Sequence, residues 1–584
     1  MKRYLVLGPV ICCISVIAAA QSHTWPPSNP GPAPIMQTLR LPGGKVLPSS
    51  LRWNLVWADQ IVPQWVTPAQ VGFAARNYIG TQKIFRDQLA EFEAVNSNFM
   101  AVSYHLAAGL NPAHNSDCPD PKDNSGSDFI GVVTPKRYVS EYTEYFRPWL
   151  VDRGIAENSP AFEAMFQHYD EVLPAKRVWH RDPYWLMNMD DAHWRAYLSA
   201  VSLEWMSGNG NQGMFFDVAV ETNASLFNPN VWNPQPGNFD WWMAPHKPYG
   251  YAGTMDSRTK FSQYMNNTYR SYFQHVYRAF HAADTAFLVL PNTDQMITTV
   301  YDPVWLDGDA QGETVDGVMV ESFGQATIGD MYLTLERIVR HVTGRGKILL
   351  AQAYPAQPEE AARLIGMFML VKNENSYVNF LGNQGVEWYA AYEIDLGEQS
   401  PCPATLDPLR EQGTGANSLW RRLYSRGMVL CNTADTEAGY LLAGSSWSIV
   451  RPVGGGDVRA DGSLPSYSIE YTPAGHSVTI PSCDCVILRD TSSTGIAGTA
   501  RPDDAVLRAF PQPAHGSVRI ELGTGETSPH AVRLVDILGR SIPIRWSASA
   551  GEIDIRWTGI DAGVYVVLLE SGGGMRSVRV VVAK

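Results

Sequence analysis

The chain has 584 residues, of which 18% are charged and 11% aromatic, and its net charge at pH 7 is −13. This length is too great for one hydrophobic core and predicts three or four domains. The acidic balance, without a basic cluster, argues against nucleic acid as a partner. The 18 Trp and 26 Tyr suit a protein that stacks sugar rings on aromatic faces, and a Trp-rich core would explain them equally well.

The first 20 residues have the layout of a signal peptide. Lys2 and Arg3 precede an apolar run that continues to Ala19 and ends in small residues, as at a cleavage site. The chain is therefore expected to be exported. Residues 21–50 are rich in Pro and Ser and are expected to form an extended lead-in. No later stretch approaches the roughly 20 apolar residues of a membrane helix, so we expect no membrane span in the mature chain.

Residues 51–424 alternate between short apolar runs and stretches with helical spacing of apolar side chains. Continuous apolar runs bounded by Gly and polar residues are typical of strands buried on both faces of a parallel sheet. Eight such strand–helix units predict an α/β fold, a (β/α)8 TIM-type barrel. The predicted strands are Leu51–Asp59, Phe99–His105, Tyr184–Asp190, Gly213–Asp217, Ala286–Asn292, Val315–Glu321, Lys347–Tyr354 and Ser376–Leu381.

After residue 424 the helical spacing gives way to short strands separated by Gly and Pro. This pattern predicts a small β-sandwich over 425–489, a linker over 490–504 that is rich in Ser, Thr and Gly, and a separate all-β unit over 505–584. Cys431 lies in the sandwich region and is expected to pair with either Cys483 or Cys485.

Two of the predicted barrel strands end on a carboxylate. Asp217 ends the fourth and Glu321 the sixth, and the strand ends of this face carry the active site in such barrels. Two carboxylates on different strands are what glycoside hydrolysis requires. One such acid alone is more often a helix cap or an ion-pair partner, but two in equivalent places favour a catalytic pair. Glu221 is the rival to Asp217 and could orient substrate instead.

Further polar and aromatic residues fall at or just past predicted strand ends, where a sugar needs hydrogen-bonding groups and stacking surfaces. Any one of them is more often a cap, a loop contact or part of the core. No phosphate loop, serine-hydrolase elbow or His-rich metal motif occurs, so we expect neither cofactor nor metal. The substrate-binding candidates are Trp57, Asp59, His105, Asn188, Asp190, Glu221, Asn292, Asp294, Tyr354 and Glu387, with Trp241, Trp242 and Trp388 as further stacking candidates.

The last eighty residues contain a specific set of signatures. They are Phe510-Pro-Gln-Pro513, Asp536-Ile-Leu-Gly-Arg540, Ala562-Gly-Val-Tyr565 and a terminal valine strand that precedes Lys584. With these residues the unit closely resembles the type A C-terminal sorting domain of type IX secretion. The resemblance implies contact with the type IX secretion machinery and passage through the periplasm and outer membrane. The chain would then be released or attached to the cell surface.

Four segments of the barrel region carry a second resemblance, and they are Trp53–Asp59, Gly213–Asp217, Asp316–Glu321 and Tyr424–Asn432. With them the region resembles the hypothetical glycosyl hydrolase families that have a barrel catalytic domain. The better known α-galactosidase-like barrels use acids on strands four and six as nucleophile and acid/base. The resemblance therefore implies that Asp217 is the nucleophile and Glu321 the general acid/base.

Together these patterns predict an exported glycoside hydrolase that cleaves O-glycosidic bonds of a poly- or oligosaccharide with two carboxylates. The alternative is a non-catalytic, surface-displayed glycan-binding protein on the same barrel scaffold, which would need neither acid. A metal-dependent hydrolase is a third interpretation, and a chelator would inhibit it. The gap between the two carboxyl groups distinguishes a retaining from an inverting mechanism.

Overall fold

The structure is a computed structural model. It describes residues 39–110, 135, 140–166, 185–217, 258–293, 302–325, 331–356, 358–382, 385–443, 446–491, 508–510, 514, 516–522, 529–536, 541–549, 552–560, 563–571 and 574–582. The expected signal peptide, most of the expected lead-in and nearly all of the expected linker lie outside these residues.

Eight parallel strands form a closed barrel, which confirms the (β/α)8 fold. Their order around the sheet is β6-β7-β8-β1-β2-β3-β4-β5, and a parallel bridge between Asn292 and Met319 joins β5 to β6 and closes the ring. The strands are β1 Val56–Trp57, β2 Tyr78–Gln82, β3 Met100–Leu106, β4 Gly213–Asp217, β5 Leu288–Pro291, β6 Gly317–Val320, β7 Ile348–Ala353 and β8 Ser376–Phe380.

The barrel interior is filled with side chains. Trp57 on β1 is 1% exposed, and its ring lies against Gly80 on β2. A Cβ at Gly80 would come within 2.6 Å of the Trp57 ring and 2.4 Å of Met100, so only glycine leaves room there. Because this interior is packed, a ligand can reach the barrel only at its ends.

Helices surround the strands and begin and end at recognisable caps. Thr67 and Gln70 form a reciprocal capping box at the start of α1, and Asp191 caps α3, which ends at Gly210 with a φ of 71°. Between β5 and β6 the described residues contain a short 3-10 helix, Val304–Asp307. The helices between successive barrel strands are α1 Pro68–Asn77, α2 Arg86–Glu93, α3 Ala192–Asn209, α4 Arg258–Ala283, α5 Met331–His341 and α6 Pro358–Val371, and two shorter helices, Arg147–Asp152 and Pro160–Glu163, precede α3.

Two expectations about the barrel strands are wrong, and the two errors cancel in the number of strands. Residues 184–190 are not a barrel strand, since Trp185–Leu186 pairs antiparallel with Gly109–Leu110 outside the barrel. The second barrel strand is instead Tyr78–Gln82, which lies inside a stretch that reads as helical in sequence. The strand count is therefore unchanged, so Asp217 still ends the fourth strand and Glu321 still follows the sixth.

A second, antiparallel sheet packs against the barrel. In β12, Val429 and Cys431 point into the barrel core, whereas Met428 and Leu430 join a separate cluster on the other face. The sheet order is β9-β14-β17-β12-β11-β10, β15 pairs with β14, and β13 and β16 form a two-stranded ribbon. The strands are β9 Glu387–Tyr389, β10 Arg410–Thr414, β11 Asn417–Tyr424, β12 Gly427–Asn432, β13 Ala438–Leu441, β14 Trp447–Asp457, β15 Tyr467–Pro473, β16 Ser477–Ile480 and β17 Asp484–Asp490.

The boundary expected between 424 and 425 falls in the turn that joins β11 to β12, and residues 419–424 of β11 pair with the whole of β12. The sheet therefore begins before residue 425. Cys431 and Cys485 face each other on β12 and β17 and form a disulfide, which confirms the expected pairing of Cys431.

The C-terminal unit has two four-stranded antiparallel sheets that share a core of their own, which includes Ile520, Leu534, Ile553 and Val567. Its strands are Arg508–Phe510, Ser517–Glu521, Ala531–Asp536, Ser541–Ile542, Arg545–Ser549, Glu552–Arg556, Gly563–Ser571 and Gly574–Val582. Within the part of the chain that the structure describes, no helix combines the length and apolar character needed to span a membrane.

Asp395 joins the barrel to the second sheet. Its carboxylate accepts hydrogen bonds from Arg52 Nη2 at 2.9 Å, just before β1, and from Arg426 in the β11–β12 turn. Burial opposes the ionisation of Asp395, but the hydrogen bonds and charges of the two arginines outweigh it and lower the pKa to about 2. The ionised form is thus more stable in the folded protein than in the unfolded chain.

We expect Asp395→Asn to lower the free energy of unfolding at pH 7 by about 2 kcal/mol, the equivalent of the depressed pKa. The contribution exists above the unfolded pKa, near 4, and is lost as the pH falls toward 2, so the two proteins should converge there. Urea unfolding at several pH values measures this. Asp407→Asn is the matched control, because Asp407 is 74% exposed in its pair with Arg410. A pH-independent difference would contradict the linkage.

Candidate active site

Asp217 is the last residue of β4, and Glu321 directly follows β6. Both stand at the carboxyl ends of their strands, where parallel strands share one rim of the barrel. Each is partly exposed, whereas the residues preceding them in the strands are buried. The two acids are therefore at the open end of the barrel and accessible from solvent.

One amide connects the two carboxylates. Asn292, at the end of β5, donates from Nδ2 to Asp217 Oδ1 at 2.8 Å and to Glu321 Oε2 at 2.7 Å. An amide nitrogen carries two hydrogens, so it can serve both acceptors. The two carboxylate oxygens are therefore separated by no more than the sum of these distances, 5.5 Å.

A phenol completes the hydrogen bonding of each carboxylate. Tyr104 on β3 donates to Asp217 Oδ2 at 2.6 Å, and Tyr354 after β7 donates to Glu321 Oε1 at 2.6 Å. Gln352 in turn donates to the Tyr354 hydroxyl at 2.5 Å. Strands β3 to β7 thus contribute one hydrogen-bonded chain that follows the rim of the barrel.

Gln325 fixes the backbone of Tyr354. Its side chain accepts from the Tyr354 N–H at 2.7 Å and donates to the Tyr354 carbonyl at 2.6 Å. The turn that carries Gln325 begins at Ser322, which has a φ of 52°, a region unusual for a residue with a side chain. Such backbone conformations concentrate at functional sites, where the surrounding structure maintains them.

An ion pair adjoins the carboxylate chain. Lys83, which follows β2, places Nζ 3.0 Å from Asp59 Oδ1, and Gln82 donates a further hydrogen bond to Asp59. The Lys83 ammonium also lies 5.0 Å from the centroid of the Tyr104 ring. Asp59 and Lys83 extend the group of polar residues at the rim to β1 and β2.

The environment of Glu321 favours its protonated form. Burial raises the pKa of this carboxyl and the negative charge of Asp217 raises it further, while the hydrogen bonds from Tyr354 and Asn292 work in the opposite direction. The net pKa is above the ordinary value for glutamic acid. In a pair of close carboxylates this is the condition for one to hold a proton while the other is ionised.

The structure brings together five of the residues that the sequence singled out. Asp217, Glu321, Asn292 and Tyr354 are directly hydrogen-bonded, and the charge of Asp59 acts on Glu321. Glu221, Asp294, Trp241 and Trp242 lie outside the described residues, so their roles stay predictions.

His105 is not at the rim. It is fully buried on the face of β3 opposite to Tyr104, where Nε2 lies 3.0 Å from Glu141 Oε1 and its ring stacks on Trp205 of α3. The expectation that it binds substrate is wrong because alternate residues of a strand point to opposite faces.

Asn188 and Asp190 are also placed elsewhere. They belong to the turn before α3, where Asn188 donates to the Ala164 carbonyl at 3.0 Å and Asp190 pairs with Arg195 at 2.7 Å. Because 184–190 is not a barrel strand, neither residue stands at the end of one. Both residues are structural in their described contacts.

The aromatic candidates in the described chain are packing residues. Trp57 fills the barrel interior, and Trp388 on β9 stacks with Tyr78 and meets Phe73 edge-on. Glu387, next to Trp388, is 2% exposed and accepts from Tyr389 at 2.7 Å. These contacts join the barrel to the second sheet and leave no surface for a sugar at Trp57.

Sequence reasoning missed Lys83, Tyr104, Gln325 and Gln352. Lys83 was hidden because β2 was not recognised, and a strand ending at Gln82 would have placed it at a strand end. Tyr104 precedes His105 in a strand buried on both faces, so the sequence had no polar alternation to show which of the two faces inward.

Among the described residues, no group of three or more His, Cys, Asp or Glu is arranged to hold a metal.

Comparison with known proteins bears on the C-terminal unit. Residues 508–583 match the family described as the secretion system C-terminal sorting domain. The chain carries a type IX sorting domain. It is therefore exported to the cell surface or released from it. No curated protein matches the chain at a significant level.

Several solved carbohydrate-active enzymes are similar to the chain in fold. An α-glucosyl transfer enzyme, XgtA, superposes with a TM-score of 0.37 at 9% identity, over 76% of this chain and 99% of that one. A GH31 family sulfoquinovosidase from E. rectale has a TM-score of 0.34 at 10% identity, over 75% of this chain and 61% of that one. The α-amylase from Geobacillus thermoleovorans has a TM-score of 0.33 at 9% identity, over 75% of this chain and 98% of that one. These TM-scores are below 0.5, so nothing about the activity of this chain follows from them.

We expect Tyr354→Phe to raise the pKa of Glu321 by about one unit, because the wild-type hydroxyl donates a hydrogen bond that favours the ionised carboxylate and the variant lacks it. Infrared difference spectra recorded against pH follow the carboxyl stretch, which Glu321→Gln identifies by its disappearance. Tyr377→Phe is the matched control, since that hydroxyl donates to the Pro48 carbonyl at 2.8 Å. An unchanged or lowered midpoint in Tyr354→Phe would show that the tyrosine does not stabilise the anion.

Proposed function

We propose that this protein is a secreted glycoside hydrolase that cleaves O-glycosidic bonds of a poly- or oligosaccharide with retention of the anomeric configuration. The observation that carries the proposal is the limit of 5.5 Å on the separation of the two carboxylate oxygens. Retaining enzymes have their two carboxyl groups about 5–5.5 Å apart, and inverting enzymes about 6.5–9.5 Å, to leave room for a water.

The different surroundings of the two acids support different roles. Glu321 has the raised pKa of a general acid that must hold a proton before the reaction. Asp217 accepts hydrogen bonds from Tyr104 and Asn292, and such donors stabilise an ionised nucleophile. We therefore assign Asp217 as nucleophile and Glu321 as acid/base.

The reaction then has two steps. In the first, an oxygen of Asp217 attacks the anomeric carbon while Glu321 gives its proton to the leaving oxygen, so the glycosidic bond breaks and a glycosyl ester forms. In the second, the ionised Glu321 takes a proton from water, and the water oxygen attacks the same carbon. The ester bond breaks, and both carboxyls return to their initial states.

The surrounding groups are suited to hold the sugar and the developing charges. Asn292 and Tyr354 already donate to the two carboxyls, so they need to reorient little as the charge on each carboxyl changes during the reaction. Asp59, whose charge acts on Glu321, offers acceptors for sugar hydroxyls. Glu221 and Asp294 are further candidates for substrate contact.

We expect Asp217→Asn and Glu321→Gln each to lower hydrolysis of a responsive substrate by at least about 10³-fold, with little change in thermal unfolding. A polysaccharide panel with a reducing-end assay identifies the substrate. On an aryl glycoside with an acidic leaving group, Glu321→Gln should keep most of its kcat/KM, because the first step then needs no protonation, although hydrolysis of the ester stays slow; Asp217→Asn should keep little. Asp407→Asn and Glu313→Gln are exposed controls. A wild-type protein that binds glycans and hydrolyses none would favour the glycan-binding alternative.

The sugar released from the glycosyl ester should initially have the same anomeric configuration as the bond that was cleaved. Proton NMR recorded during the first minutes of hydrolysis, before mutarotation, distinguishes the two anomers. Initial release of the opposite anomer would contradict a carboxylate gap of this size and would require a water between the two acids.

A further inference from the structure

Lys83 is a buried cation in direct contact with an acid at the rim. Its Nζ lies 3.0 and 3.1 Å from the two oxygens of Asp59, and only 15% of the Lys83 side chain and 18% of the Asp59 side chain are exposed. Because water screens such a pair weakly, the Lys83 charge also acts on other groups at the rim.

The backbone of Lys83 is held in an unusual conformation. Its φ is 63°, in the left-handed region, and Gln60 donates to its carbonyl at 3.3 Å. A long side chain in this region persists only where the neighbouring structure maintains it. Lys83 and Ser322 both have this conformation. Each directly follows a residue that takes part in the hydrogen bonds of the rim, Gln82 and Glu321.

The charges around Lys83 come from three separate strand ends. Asp59, Asp217 and Glu321 each raise the pKa of Lys83, although burial opposes them. The attraction is mutual, so the ammonium stabilises negative charge at these strand ends. The effect of Asp217 on Lys83 exceeds that of Glu321, which lies on β6 across the barrel from β2.

Two phenols also adjoin these acids. The ring of Tyr104 lies between Lys83 and Asp217, since it is 5.0 Å from Nζ and its hydroxyl donates to the aspartate. Tyr354 stands on the far side of Glu321 and remains a donor, because burial and the Glu321 charge raise its pKa.

We propose that Lys83 is a positioning residue that determines which acid holds the proton of the site. Its ammonium is paired with Asp59 and interacts more strongly with Asp217 than with Glu321, so it favours negative charge on the Asp217 side of the pair. The single proton therefore resides on Glu321, on the side of the pair remote from Lys83. The consequence for turnover rests on the proposed function, but the location of the proton can be measured without any substrate.

The test compares the infrared titration of the Glu321 and Asp217 carboxyls in charge variants of the full chain, with bands assigned by Glu321→Gln and Asp217→Asn. Lys83→Met removes the positive charge, and both midpoints should rise, by about one pH unit for Asp217 and by less for Glu321. Lys83→Arg keeps the charge and should leave the midpoints near the wild-type values.

Asp59→Asn removes a negative charge and should move both midpoints downward. The double variant Lys83→Met/Asp59→Asn removes both charges and should return them near the wild-type values. If Lys83→Met fails to fold with Asp59 unpaired, Asp59→Asn and the double variant still decide the matter. Midpoints that stay fixed in all variants, or move in the same direction in Lys83→Met and Asp59→Asn, overturn the proposal.

Activity gives a separate result. In Lys83→Met both limbs of the pH profile of kcat/KM should move upward on a substrate found with the panel. A wild-type protein without hydrolytic activity would refute the proposed function, and the infrared midpoints would still decide the role of Lys83. Reduced activity with an unshifted pH profile and unshifted midpoints would assign Lys83 a merely structural role.

Discussion

The Asn292 amide holds two carboxylates within 5.5 Å of each other, and the remainder of the site depends on this contact. Like charges at that separation repel strongly where burial reduces screening. The protein meets this cost in two ways. It surrounds the pair with donors, and it leaves one member, Glu321, in conditions that favour a proton. A carboxylate and a carboxyl that favours its proton can therefore stand side by side at the rim.

The barrel provides this arrangement by its topology. Parallel strands end on one rim, so single residues from β1 to β7 become neighbours although long stretches of chain separate them. The bridge between Asn292 and Met319 that closes the ring also fixes the asparagine between the two acids. The residue whose backbone closes the barrel is thus also the one whose side chain connects the two carboxylates.

The remainder of the chain serves other purposes. The second sheet buries one face against the barrel and is fastened to it by the Arg52–Asp395–Arg426 cluster. Trp57 and Trp388 would suit a sugar platform but are used in packing instead, Trp57 inside the barrel and Trp388 against Tyr78. The C-terminal sorting domain has a core of its own and carries the export signal, so location and proposed chemistry reside in different parts of the chain.

The sequence by itself determined the alternation of strands and helices, the sorting domain, and the acids that end β4 and β6, because these are local patterns of apolar runs, turns and signatures. It also identified Asn292, Tyr354 and Asp59 as strand-end residues. It could not place β2, because a short strand between two helices lacks a distinct period, and it could not choose between Tyr104 and His105, because a strand buried on both faces has no polar alternation.

Only the tertiary structure decided the carboxylate separation, the shared amide and the position of Lys83. These are distances between groups on different strands, and they depend on strand order, register and side-chain orientation, which no local pattern records.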